Sequence, residues 1–182
     1  IENDVAMTST LVVYEISVSG RLPIDERVYQ VLAPEIAEEV REIAIARRAG
    51  QGAIDPATFA KAMEYERAFV QAGGTLAAGV DPTGYGAAPP GLGDQRNYEL
   101  LLEAGFSAPE VVQIMSGNGA KVLGVLDDVG TVEAGKLADL VVIEGDLEEL
   151  GNLHSTKIVF RHGIGWDSAK LMDSVRGVVG IR

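Results

Sequence analysis

Apolar positions form two patterns along the first half of the chain. Nearly continuous apolar runs predict buried strands, and apolar residues at helical spacing predict helices. Residues 5–18 form a nearly continuous apolar run rich in β-branched side chains, which predicts a buried strand. In residues 32–50 the apolar side chains Ile36, Val40 and Ala44 recur at helical spacing. A strand followed by an amphipathic helix is therefore predicted for this part of the chain.

A second helix and a second strand follow. Residues 55–74 predict a helix with Asp55 as its N-cap and Gly73 as its C-terminal stop. Residues 75–80 are a short run of small apolar side chains, which is typical of a buried parallel strand. The order strand, helices, strand predicts an α/β fold in which helices connect parallel strands.

Two more helices are predicted after a long loop. The first covers residues 94–105, with Asp94 as its cap. The second begins in residues 107–124, where Ser107 and Glu110 have the spacing of a capping box. Together these patterns extend the α/β arrangement to about residue 125.

The character of the chain changes near residue 126. Residues 140–143 and 158–160 are apolar runs set between turn glycines, which predicts β-strands and hairpins. We therefore expect two parts: residues 1–125 in the α/β arrangement, and a mainly β part over residues 126–182.

Composition excludes several classes of protein. With 47% hydrophobic and 23% charged residues the chain predicts a globular fold, and no apolar run is long enough for a transmembrane helix. The net charge of −12 argues against a nucleic-acid partner. There is no cysteine, so disulfides and thiolate metal sites are excluded.

The first residues, IENDVAMTST, lack the features of a signal peptide, and we expect the chain to continue something longer. Nothing indicates a compartment.

The main candidate for chemistry is Asp81, which follows the second strand directly. Asp-Pro-x-Gly is a turn signature, and from local sequence the acid is a turn residue. In α/β proteins, however, ligands bind at the carboxyl ends of parallel strands. The glycine- and proline-rich loop over residues 82–93 is long for such a connection, and long loops at this edge often carry function. Local sequence alone leaves both interpretations open.

Other candidates carry weaker signals. In the loop, Gly84 and Tyr85 are candidate substrate contacts. Arg96, in the helix that follows, has the charge to bind a substrate carboxylate, although a solvated arginine explains it equally well. His154 and His162 lie eight apart without metal-ligand spacing, and each is interpreted as a surface or turn residue. Neither a phosphate-binding loop nor a serine-nucleophile motif occurs.

Three segments carry a family resemblance. They are LAAGVDPTG, YELLLEAGFSAPEVVQIMSGNGAKVLGV and VGTVEAGKLADLVVIEGD, and DVAMTSTL precedes them. In this order they resemble the C-terminal part of a metal-dependent amidohydrolase, of the imidazolonepropionase-like and prolidase-like branch. In the third segment, Asp139 is predicted to fix a turn or accept backbone N–H groups, and Lys136 to be a surface turn residue.

The resemblance implies both a fold and a chemistry. The family fold is a (β/α)₈ barrel with a small β-sandwich built from both chain ends. This chain would supply barrel strands seven and eight with their helices, and then the C-terminal part of the sandwich. One or two divalent metals, usually zinc, activate a water that attacks a C–N bond in an amide, cyclic amide or peptide-like substrate. Asp81 matches the aspartate that ends strand eight, a metal ligand and proton shuttle.

One departure from the family and one rival hypothesis follow. Where many relatives have a histidine before the E-L of the helix, this chain has Asn97 and Tyr98. The histidine metal ligands match nothing here, so the missing N-terminal portion of the same protein is the expected partner, beside a small-molecule substrate. The chain alone is expected to be inactive and, if isolated, to associate, with a homo-oligomer left open. The alternative is a non-catalytic truncated barrel module that serves in binding or assembly. A nucleotide-binding domain is disfavoured.

Overall fold

The computed structural model of the chain describes residues 5–21, 25–82, 87–149 and 152–180. Within them the chain is an α/β protein with an antiparallel sheet in its C-terminal part. The elements, in chain order, are β1 (Met7–Ser9), α1 (Leu11–Glu15), α2 (Glu26–Val31), α3 (Pro34–Arg48), α4 (Pro56–Gln71), β2 (Leu76–Ala78), α5 (Leu92–Glu103), α6 (Ala108–Val112), a π-helical turn (Gln113–Gly117), α7 (Asn118–Val122), β3 (Leu140–Ile143), a 3₁₀ turn (Asn152–Ser155), β4 (Thr156–Arg161), β5 (Ile164–Asp167) and α8 (Ser168–Ser174).

The first layer is built on two short parallel strands. β1 pairs with β2 in the register Met7 to Leu76 through Ser9 to Ala78. The connection between them contains α1 to α4, as a parallel pair requires. Buried side chains of β2, α1, α4, α5 and α6 form the main apolar core beside this pair. The predicted α/β order with a parallel crossover is confirmed.

The first predicted strand is much shorter than expected. Strand geometry ends at Ser9, Thr10 leaves the extended region at ψ 38°, and residues 11–15 are helical. Leu11 and Val12 are buried in the core, and the Val12 N–H donates to Asn97 Oδ1 at 3.2 Å. Packing against α5 therefore overrides the strand preference of the β-branched run, and the prediction of a strand over residues 5–18 was wrong beyond Ser9.

The long helices agree well with the prediction. α3 and α4 lie within the predicted ranges, and Asp55 caps α4 by accepting the Ala57 N–H at 2.8 Å. α5 begins at Leu92, two residues before the predicted cap. Asp94 instead lies inside the first turn, where it accepts the Gly91 N–H at 2.8 Å. α2 had no counterpart in the prediction, because its six residues show no clear helical period.

The helix after α5 contains a π-helical turn between α6 and α7. Its start is the predicted capping box: the Ser107 N–H and hydroxyl both donate to Glu110 Oε2, at 2.8 and 2.7 Å. At the end of the wider turn, Asn118 Nδ2 donates to the Leu76 carbonyl of β2 at 2.7 Å. This helix is thus joined to the parallel strands by a side-chain amide.

The C-terminal part contains the antiparallel sheet β3–β4–β5. The predicted strands at residues 140–143 and 158–160 are confirmed. At the β4–β5 turn, Asp139 accepts the His162 N–H at 2.6 Å and pairs with Arg161, as predicted for a turn-fixing aspartate. Lys136 was predicted on the surface, but its side chain is only 13% exposed. Its ammonium donates to the Leu126 carbonyl at 2.6 Å.

The sheet is tied to the α/β layer through α5. Tyr98 Oη donates to the Leu147 carbonyl at 2.9 Å, and His154 Nε2 lies 3.1 Å from Glu99 Oε1. Leu147 and Leu153 pack against the main apolar core. The division at residue 126 stays a prediction. Within the four described ranges, no helix has the length and apolar character needed to cross a bilayer.

Candidate active site

The candidate site begins where the two parallel strands end side by side. The Gly79 N–H donates to the Ser9 carbonyl at 3.0 Å, so the pairing continues one residue past β2. Val80 is buried and Asp81 is exposed. The sequence therefore brings one carboxylate to the carboxyl end of a parallel strand, as predicted.

Asp81 has a left-handed backbone, with φ of +47°. Few side chains adopt this conformation readily, and aspartate and asparagine are among those that do. Within the part of the chain that the structure describes, no hydrogen bond or ion pair engages the Asp81 carboxylate. Among the described residues, the carboxylate is thus neither a helix cap nor half of a salt bridge.

The loop after Asp81 returns to the strand end at α5. Gly84 and Tyr85 lie outside the described residues, so their predicted substrate contacts stay predictions. Beyond them, Ala88 is buried, and a β-carbon at Gly93 would lie only 2.7 Å from Val80 Cγ1. The glycine at this position lets the first turn of α5 pack directly on the end of β2.

Arg96, the third predicted substrate contact, is held by two carboxylates. Its Nε and Nη2 donate to the two oxygens of Glu15 at 2.8 Å each, and its Nη1 donates to Glu99 at 2.6 Å. Burial alone would lower the pKa of the guanidinium, but the hydrogen bonds and charges of Glu15 and Glu99 outweigh it, and the pKa is raised. The structure therefore gives Arg96 a bridging role between α1 and α5, and a substrate contact stays a prediction.

Sequence reasoning missed the cluster that surrounds Arg96. Glu15, with only 4% of its side chain exposed, also accepts Arg21 Nε at 2.6 Å, and Arg21 continues to Glu103 on α5. A cavity of about 210 Å³ adjoins the cluster, and Glu99 and His154 are among its lining residues. Glu15 and Arg96 are 81 positions apart in sequence, so no local spacing could have identified their pairing.

Among the described residues, Asp81 is the predicted metal ligand. Over the described ranges, no three histidine, aspartate or glutamate side chains come together as a metal group. The uncommitted carboxylate of Asp81 nevertheless suits a hard or borderline divalent cation. Among the described residues, Asp81 would fit a metal site only together with ligands from other residues, and its role as a ligand stays a prediction.

An α/β chain with an open carboxylate at the end of a parallel strand belongs to a broad class of enzymes and binding proteins. The family comparison narrows this class: residues 70–165, more than half of the chain, match the model of the amidohydrolase family. The chain belongs to the amidohydrolase family. This confirms the resemblance found in the sequence.

The chain is similar to several individual proteins. An imidazolonepropionase from Bdellovibrio bacteriovorus is 33% identical over 106 residues, which cover 53% of this chain and 23% of that protein. A prolidase solved with N-methylphosphonate-L-proline matches 91% of this chain and 36% of its own, with a TM-score of 0.54 and 20% identity. A Xaa-Pro dipeptidase solved with methionine in its active site matches 78% and 34%, with a TM-score of 0.51 and 21% identity.

The comparisons also show how much of each relative the chain covers. The chain spans about a quarter of the curated relative and about a third of each of the two solved structures. The structural matches show a shared α/β fold.

Proposed function

We propose that the protein to which these residues belong is a hydrolase that cleaves the C–N bond of an amide, cyclic amide or peptide-like substrate. In this proposal the Asp81 carboxylate accepts a proton from the attacking water. The observation that carries the proposal is the exposed Asp81 carboxylate, which follows the paired strands directly and is uncommitted among the described residues. Family membership supports the reaction class.

Asp81 has two tasks in this proposal. It holds a divalent cation, zinc in the first instance, together with ligands from beyond these 182 residues. When bound, the cation polarises the scissile carbonyl and lowers the pKa of a water molecule. The Asp81 carboxylate accepts the proton of the attacking water and returns it to the departing amine, which is the work of a general base and then a general acid.

We further propose that β1 and β2 are adjacent strands, the seventh and eighth, of a (β/α)₈ barrel. Two observations support this. The pair is parallel with helical crossovers, and its outer edges are unpaired among the described residues. The sheet β3–β4–β5 would be part of a sandwich completed by strands from elsewhere in the protein, which suits its exposed apolar side chains Val141, Ile164 and Trp166.

The loop over residues 82–93 is proposed to shape the substrate pocket, with Gly84 and Tyr85 as its contacts. Arg96 enters the proposal in a second way. Because its guanidinium joins α1 to α5, it fixes the helix to which this loop returns. A hydrogen bond from Arg96 to a substrate carboxylate would use the guanidinium N–H groups that do not donate to Glu15 or Glu99.

The test is Asp81→Asn in the protein expressed with all the sequence that its gene encodes. Asparagine tolerates the left-handed backbone, so the change removes the charge and leaves the fold intact. Hydrolysis of a panel of N-acyl amino acids, dipeptides and cyclic amides should fall by about 10²- to 10⁴-fold. Asp127→Asn, at another exposed aspartate, is the matched control and should keep full activity.

Two outcomes would count against the proposal. If Asp81→Asn hydrolyses the panel as fast as the parent, Asp81 has no catalytic role. If the parent protein neither binds zinc nor hydrolyses any member of the panel, the chain belongs to a non-catalytic barrel module. The lack of a three-ligand group among the described residues favours that second candidate.

A further inference from the structure

Glu66 is an acid buried in the layer between α4 and the strands. It is only 9% exposed, and its Oε2 is shielded from solvent without a hydrogen-bond partner among the described residues. The buried Ser9 hydroxyl of β1 lies near enough to lower the pKa of Glu66, although neither Ser9 Oγ nor Glu66 Oε2 has a hydrogen bond of full geometry among the described residues. Burying an ionised carboxylate without a partner is costly, so this site favours the neutral acid.

No charged group compensates Glu66 from the elements around it. α1 contributes Glu15, which is engaged by Arg21 and Arg96. The Arg21 guanidinium lies over the ring of Phe59, which is also on α4, but it is bound by Glu15 and Glu103. β2 carries no titratable side chain, and β1 contributes only Ser9. Among the described residues, Ser9 is therefore the one side chain found to act on the Glu66 carboxyl, and no charged side chain pairs with it.

We propose that Glu66 is a protonation switch in the strand–helix layer, neutral when α4 packs against the parallel strand pair and weakening that packing when it loses its proton to solvent. The neutral form removes the charge that burial penalises and adds an O–H donor beside Ser9 Oγ. The switch lies close to the candidate site, because the Ser9 carbonyl accepts the Gly79 N–H two residues before Asp81. It acts on the fold whether or not the protein is a hydrolase.

The direction of the pH effect follows from the burial. Burial raises the pKa of Glu66 to about 7, and the Ser9 hydroxyl opposes this in part. In the unfolded chain a glutamate titrates near its ordinary value, about 4.3. Between these two values the unfolded chain binds fewer protons than the folded one. Stability is therefore greatest below the unfolded pKa and is lost as the pH rises through the folded pKa.

The experiment compares stability with pH in the parent and three variants, each expressed with all the sequence that the gene encodes. In the parent, the unfolding constant from urea titrations should rise roughly tenfold to a hundredfold between pH 5 and pH 8 from this group. Glu66→Gln should lose that rise. Glu64→Gln, which changes an exposed acid on the same helix, should keep it. Ser9→Ala should move the transition to higher pH, because it removes the group that lowers the pKa.

A second measurement reports on the acid directly. The side-chain carboxyl ¹³C signal of Glu66, assigned from its absence in Glu66→Gln, should titrate with a midpoint near neutral pH. A midpoint at the ordinary glutamate value would overturn the proposal. So would a Glu66→Gln variant that keeps the pH dependence of the parent. The ¹³C titration uses the parent protein, so the proposal stays testable even if a variant fails to fold.

Discussion

Glu15 joins several segments of the chain, although no motif in the sequence indicates this role. Its buried carboxylate accepts three hydrogen bonds from two guanidinium groups, those of Arg21 and Arg96. Arg21 and Arg96 then reach Glu103 and Glu99 on α5. The short helix α1 is thereby attached to α5 at several points.

Replacing Glu15 should destabilise the fold. Glu15→Gln removes the charge opposite two guanidiniums and turns an amide donor toward them. Losing one partner of a buried pair costs about 3–5 kcal/mol, and about 1–3 kcal/mol is expected here because both arginines are partly exposed. Urea denaturation at pH 7 measures the loss. Glu26→Gln, in the exposed pair with Arg41, is the control and should cost about 0–0.5 kcal/mol. Equal losses for the two variants would show that the Glu15 cluster is no stronger than a surface pair.

For individual residues, the sequence predicted some positions and contacts and missed others, and the reasons are physical. The position of Asp81 at the end of a strand could be predicted because its motif is contiguous and follows a strand, and its catalytic role stays a proposal. Asp139 could be assigned to a turn for the same reason, and it accepts a backbone N–H as expected. The partners of Arg96 could not be found, since they depend on how distant segments pack. The side chain of Lys136 was misplaced because a turn lysine can still reach inward to a partly buried carbonyl.

Among the elements, the π-helical turn has the clearest consequence. It ends where Asn118 begins α7, and the Asn118 side chain reaches the Leu76 carbonyl in β2. A π-helical turn widens the helix by one residue and so changes the direction of the side chains after it. Here the change in direction coincides with the contact that joins the helix to the parallel pair.

Asn118→Ala should therefore weaken the link between α7 and β2. It leaves a strand carbonyl without its donor, which costs about 1–2 kcal/mol. Thermal or urea unfolding measures this cost, and hydrogen exchange should show faster opening at β2. Gln113→Ala, which removes an exposed amide from the start of the same turn, should change stability by less than about 0.5 kcal/mol. A small effect of Asn118→Ala would show that solvent replaces this bond.

The elements also show where periodicity succeeds. The fifteen residues of α3 and the sixteen of α4 carry enough turns for their apolar stripes to be recognised, and both helices lie within the predicted ranges. α1 and α2 have five and six residues, too few to establish a period. The β-branched residues of α1 predicted a strand, and burial against α5 decided otherwise.

For the whole molecule, the unpaired apolar surface of the C-terminal sheet is the dominant feature. Val141, Ile164 and Trp166 are each more than half exposed on β3 and β5. Exposed apolar residues on a sheet with open edges favour association between chains. We therefore expect the 182-residue chain, expressed by itself, to associate.

A matched pair of variants tests the surface responsible. Ile164→Lys on β5 and Ile45→Lys on α3 add the same charge at side chains that are 62% and 65% exposed. Only Ile164→Lys should reduce association, measured by sedimentation velocity at several concentrations. If Ile45→Lys reduces association equally, net charge rather than the sheet controls it. A parent chain that stays monomeric and melts cooperatively would contradict the expectation altogether.

The larger organisation could be predicted only in outline. The α/β order and the late antiparallel strands follow from patterns within the chain, such as the apolar runs at residues 140–143 and 158–160. The proposed barrel cannot be derived from the one pair of parallel strands among the described residues, because its closure would need further strands. The same holds for the proposed ligand set, to which Asp81 would contribute one member.

The left-handed backbone at Asp81 also limits how this position can change over evolutionary time. Glycine and asparagine fit the backbone but carry no carboxylate. Glutamate carries one, but it prefers right-handed or extended conformations, and its longer side chain would place the charge elsewhere. No single substitution keeps both the backbone and the acid. Lineages that keep the chemistry should therefore keep aspartate here, and lineages that lose it should drift first to asparagine or glycine.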